Sequence, residues 1–64
     1  MNGIMFCGDH YAAIKNGRVV GVISRSVDGL TWGWHRTDGS ADSSDHLRLS
    51  YAFDIALRCI KEPT

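Results

Sequence analysis

The side chains in this 64-residue chain that could do chemistry are two cysteines, three histidines and a scatter of aspartates. Cys7 and His10 stand at metal-ligand spacing, and His35 and His46 would have to complete a tetrahedral zinc site. A structural zinc site draws on two tight ligand pairs, and the second pair is absent, so no metal or cofactor is expected. Cys7 and His10 also form a candidate nucleophile–base pair. The sequence offers it no oriented third residue, no helix N-terminus to lower the thiol pKa and no deep pocket. Asp9, Asp28, Asp38, Asp42 and Asp45 fall mostly in turns and caps, where Asp serves local hydrogen bonding, and no glycine pattern resembles a phosphate-cradling loop. No catalytic residue is assigned, and the chain is expected not to be an enzyme.

The elements that position these residues begin with a C-terminal helix over about 43–62. Leu49, Ala52, Phe53, Ala56, Cys59 and Ile60 recur at spacings of three and four and form one apolar stripe, widened by Ile55 and Leu57. Arg48, Asp54, Arg58 and Lys61 fall on the other side. Asp42 is read as the N-cap and Asp45 as its capping-box partner, and Pro63 ends the helix. Cys59 lies on the stripe and reads as a small core residue.

Ahead of the helix, Asn16-Gly17 marks a type I′ turn between strands at about 10–15 and 18–25. An unbroken ladder pairs Lys15 with Arg18, Ile14 with Val19, Ala13 with Val20, Ala12 with Gly21 and Tyr11 with Val22. Asp28-Gly29 marks a second turn, and residues 30–36 alternate as a third strand, with Leu30, Trp32 and Trp34 on one side. That register sets Trp34 opposite Ile23 and makes the tryptophan face the core. Residues 1–9 either extend the first strand or lie over the core as an arm. The expected fold is α+β: one domain, residues 1–64, with a three-stranded antiparallel β-meander packed on one C-terminal α-helix in the order β-β-β-α.

Seven Lys and Arg balance seven Asp and Glu, so the chain lacks the basic excess of a dedicated nucleic-acid binder. The short run Ile4-Met5-Phe6-Cys7 is neither a membrane span nor a signal-peptide core. The expected location is therefore the cytoplasm, where Cys7 and Cys59 stay reduced. Two surfaces are left for a protein partner. One is the acidic stretch Asp38, Asp42 and Asp45, suited to a basic surface such as the nucleic-acid groove of another protein. The other is an exposed sheet face of Tyr11, Val20 and Val22 with Arg18 at its edge. The chain is expected as a monomer or weak homodimer.

The order of three strands and a helix resembles the plant ethylene-response type of DNA-binding domain and the arm-binding domains of phage integrases. That likeness implies DNA contact through the exposed sheet face, for which Lys15, Arg18, Arg25 and Arg36 are the available cations. A second resemblance, over residues 10–62, rests on Lys15-Asn16-Gly17-Arg18-Val19-Val20-Gly21, Asp28-Gly29-Leu30-Thr31-Trp32 and the alanine-containing terminal helix. These look like the small accessory proteins of phages and prophages, anti-CRISPR proteins among them. It implies a non-enzymatic inhibitor in the host cytoplasm that occupies a surface of a host defence complex, such as a CRISPR–Cas component.

Overall fold

The computed structural model describes residues 1–37 and 43–62. Five strands form one antiparallel sheet in sequence order: β1 (Gly3–Phe6), β2 (His10–Lys15), β3 (Arg18–Arg25), β4 (Trp32–Arg36) and β5 (Ser43–Leu47). Among the described residues a single helix, α1 (Leu49–Lys61), follows and packs on one side of it. The α+β class, the meander and the C-terminal helix match the expectation; the sheet has five strands where three were expected. β1 is the strand alternative for the opening residues, and β5 occupies sequence assigned to the first turns of the helix.

The β2–β3 turn forms as its residues require. Asn16 and Gly17 both take positive φ, 54° and 77°. Asn2 Oδ1 accepts from the Asn16 N–H at 2.7 Å, and the Met1 carbonyl accepts from the Gly17 N–H, so β1 is tied to this turn as well as to β2.

Beyond the turn the ladder slips. Lys15 pairs with Arg18 and Ile14 with Val19, but Ala13 meets Gly21, Ala12 meets Val22 and Tyr11 meets Ile23. Val20 is thus an extra residue, a β-bulge that shifts everything after it to the opposite face. Thr37 stabilises the bulge, its N–H donating to the Val20 carbonyl and its hydroxyl to the Val19 carbonyl. The expected faces are corrected accordingly: Gly21 and Ile23 share a side with Ala13 and Tyr11, not with Ala12. On the far side of β3 the expected register holds, with Ile23 opposite Trp34. β4 itself starts at Trp32, because residues 26–31 form the connecting loop.

The core is the helix side of the sheet. Ala13, Ile23 and Trp34 from the strands meet Ala52, Ala56, Cys59 and Ile60 from α1, with Tyr11, Val20, Trp32, Leu47, Leu49, Phe53 and Ile55 packed around them. Small residues on both sides allow close approach, and the indole of Trp34, wholly buried, fills the space that Gly21 leaves. Tyr11 links the aromatic residues, with ring centroids 5.0 Å from Phe6, 5.7 Å from Trp32 and 5.0 Å from Phe53. Leu57, expected to widen the stripe, stays exposed.

The helix start differs from expectation. Its N-cap position is Arg48, with no side-chain cap, and Asp45 lies in β5. Asp42 and Pro63, assigned to the two ends of the helix, lie outside the described residues. Arg58 and Lys61 occupy the last turn, where the helix dipole favours cations. No helix among the described residues is long and apolar enough to cross a membrane.

Candidate partner-binding surface

With α1 on one side, the other side of the sheet is left uncovered by any described element. Strand alternation and the observed registers place Met5, His10, Ala12, Val22, Ser24, Gly33, His35 and Asp45 there. His10, Val22 and Ser24 line a shallow open hollow together with Asp9 and Arg25. The hollow is wide and open to solvent.

The expected partner residues divide between the two sides. Val22 is on the open face, as expected. Tyr11 and Val20 are on the helix side and half buried in the core, a correction that follows from the bulge at Val20. Arg18 is exposed beside the β2–β3 turn. Asp45 is on the open face, where its Oδ1 lies 3.3 Å from His35 Nε2. Asp38 and Asp42, the other members of the acidic stretch, lie outside the described residues.

Every histidine in the chain stands beside an aspartate. His10 Nδ1 lies 2.7 Å from Asp9 Oδ1, and this contact holds the Asp9 carboxyl below its ordinary pKa. His35 pairs with Asp45 between β4 and β5, and His46 Nδ1 lies 3.6 Å from Asp28 Oδ2, between β5 and the β3–β4 loop. Two of the three contacts therefore join β5 to its neighbours. His46 takes a positive φ of 60° at a second bulge, where Asp45 and His46 together oppose Gly33.

The orienting residue that the Cys7–His10 pair needed is thus supplied by Asp9. The pair itself is not assembled: the Cys7 thiol lies 3.7 Å from the Met5 carbonyl, and no hydrogen bond among the described residues joins it to His10. No group of three or more His, Cys, Asp or Glu side chains among the described residues converges on a point that could hold a metal ion. Cys7 is exposed, and Cys59 is buried on the inner face of α1.

The feature that sequence reasoning missed is the tip of the β3–β4 connection. Asp28 Oδ1 accepts from the backbone N–H groups of Leu30 and Thr31, at 2.9 and 3.0 Å, and the Thr31 hydroxyl donates to both carboxylate oxygens. Those backbone donors lower the Asp28 pKa to about 2. Gly29 closes the turn at φ 71°, with its N–H on the Ser26 carbonyl, and Arg25 donates to the Gly29 carbonyl at 2.8 Å. On this braced turn Val27 and Leu30 stand almost entirely in water, 105% and 85% exposed. The sequence carries only a weak signal for it, the turn dipeptide Asp28-Gly29 between two aliphatics. No family model, no curated protein and no solved structure matches the chain.

Three of the four cations expected for DNA contact are engaged elsewhere, and Arg18 is exposed. Lys15 donates to the Glu62 carbonyl, Arg36 lies 3.5 Å from the Glu62 carboxylate, and Arg25 is stacked 4.7 Å over the Trp32 ring. The open face presents Asp45 and the neighbouring Asp9 instead.

Proposed function

We propose that this chain is a non-enzymatic interaction protein, and that it inhibits a host defence complex by occupying one of its protein surfaces. The observation that carries the reading is the β3–β4 turn. Val27 and Leu30 bury almost nothing within this fold, whereas a partner with an apolar pocket gains two anchors on a turn closed by the hydrogen bonds of Asp28. The polar rim beside that tip is formed by Asp45, His35 and His46, which suits orientation more than affinity. Val22 and Arg18 extend the contact if the partner reaches along the sheet. The likeness to small phage proteins supplies the partner class, a component of a CRISPR–Cas complex in the host cytoplasm.

The test is interference in a host whose CRISPR–Cas system targets an infecting phage. Expression of the chain is expected to restore plaques, and Val27→Ser combined with Leu30→Ser to abolish that effect. Each substitution should weaken the contact about tenfold and leave the fold intact, since neither side chain is buried. No effect of the unaltered chain on any such system would sink the defence role. Full activity of the double variant would clear the turn. DNA binding through the sheet draws no support from the arrangement of charge, with three of the four candidate cations held by Glu62 or Trp32.

A further inference from the structure

The two edges of the sheet are built differently. β5 carries Asp45 and His46 and is bulged, with a positive φ at His46; charges and bulges of this kind prevent strand addition. β1 has neither protection. Residues 1–8 contain no charged side chain and no proline, and β1 pairs with β2 in unbroken register. Its outer flank is apolar, with Met5 46% and Phe6 60% exposed.

The direction of its free hydrogen-bonding groups follows from the β1–β2 ladder. Cys7 donates its N–H to the His10 carbonyl, so Met5 and Gly3 also turn their backbone groups toward β2. Ile4 and Phe6 therefore turn theirs outward, to the open edge. From this geometry we infer that β1 is a self-association edge, which pairs antiparallel with β1 of a second copy of this chain about a twofold axis through Met5.

In that register Ile4 of each copy lies opposite Phe6 of the other, and all four outward N–H groups find carbonyls: Ile4 N–H donates to the second copy's Phe6, and Phe6 N–H to its Ile4. Met5 faces Met5 across a non-hydrogen-bonded position, where side chains come closest. Cys7 faces Gly3. The result is one ten-stranded sheet with both helices on the same side. A second copy fits this edge better than a charged partner would, because the strand is neutral and self-complementary. The net charge of zero adds no long-range repulsion between copies.

Sedimentation equilibrium tests the inference on the full chain. So short an interface is a weak one, so the concentration should rise to about 1 mM. The average mass is expected to climb toward twice that of the chain, and Met5→Lys, which sets two ammonium groups face to face, should hold it at the monomer value. Met5 is on the open face, so this variant should fold normally. A constant monomer mass overturns the inference, and so does association unchanged in Met5→Lys. Register is tested by Met5→Cys in a Cys7→Ser background. That variant should form a disulfide-linked dimer under mild oxidant faster than the unaltered protein does through Cys7; an equal or slower rate overturns the pairing about Met5.

Discussion

The indole of Trp34 occupies the place where residue 21 would carry a side chain. A Cβ built on Gly21 would fall 2.0 Å from Trp34 Cη2 and within 2.6 Å of two further ring carbons. Trp34 has nowhere to retreat: it is wholly buried between Ile23 and the small residues of α1. Close-packed interiors do not absorb an added methyl at such a distance without moving backbone. Gly21→Ala is therefore expected to cost about 3 kcal/mol, which in a domain of this size lowers the melting midpoint by roughly 12–24 °C. A thermal melt followed by tryptophan fluorescence measures it directly, and a shift of only a few degrees would mean the ring is less fixed than it looks.

Gly33 gives the comparison. Its added Cβ would meet Asp45 Oδ1 at 2.6 Å and His35 Nε2 at 3.2 Å, but these are the ends of exposed side chains that can swing away. An alanine also suits a strand interior better than glycine, by roughly 0.5–1 kcal/mol. Gly33→Ala should change stability by less than about 1 kcal/mol, while parting His35 from Asp45. Denaturant unfolding of the two alanine variants side by side should rank them far apart; similar losses would show that the open face is as tightly packed as the core.

Asp28 should make the stability of the β3–β4 turn depend on acidity. Its folded pKa of about 2 lies below the ordinary 3.8, chiefly because the N–H groups of Leu30 and Thr31 donate to the ionised form. The unfolded chain therefore binds more protons at Asp28 than the folded chain does between those two values, and stability rises with pH there. The contribution is fully present above about pH 4 and is lost as pH falls toward 2. Asp28→Asn keeps an acceptor oxygen but has no charge to titrate, so its melting curve should decline less steeply over that window. Parallel acid limbs for the two proteins would rule the turn out as a source of acid sensitivity.

What could be read from the chain tracks how local the determining interaction is. Asn16-Gly17 specifies its own turn through positive φ, and β2 and β3 lie at the expected residues, 10–15 and 18–25. The stripe from Leu49 to Ile60 marks α1 because its period belongs to the helix itself. The bulge at Val20 was not legible, since it answers to Gly21 lying under Trp34 and to Thr37, 17 residues further on. β5 was hidden for a related reason. Ser43-Ser44-Asp45-His46-Leu47 has no β-branched residue and reads as a capped helix start, yet it extends because β4 has an edge to pair and Leu47 reaches the core. Of the candidate surface, Val22, Arg18 and Asp45 were named from sequence and stand exposed or on the open face. Tyr11 and Val20 move to the helix side through the same one-residue slip, and the tip residues Val27 and Leu30 are hidden because the alternation over 30–36 reads Leu30 as strand.

The start of α1 offers a stabilising change. Arg48 holds the N-cap position with φ −71° and ψ 147°, the extended geometry in which Ser or Asp would turn a side-chain oxygen toward the first free N–H groups of the helix. Arg48 makes no such bond, and the first turn carries no acidic residue, so the positive end of the helix dipole is left without a neutralising group. Arg48→Asp supplies both an acceptor and a negative charge at that end. The side chain is exposed, so no packing is lost. The variant should be more stable by about 1 kcal/mol, a rise of roughly 4–8 °C in melting temperature. Arg48→Ala should give none of that gain, which separates capping from mere removal of a cation beside the dipole. If both variants melt together, the first turn already has its N–H groups satisfied by water and the cap adds nothing.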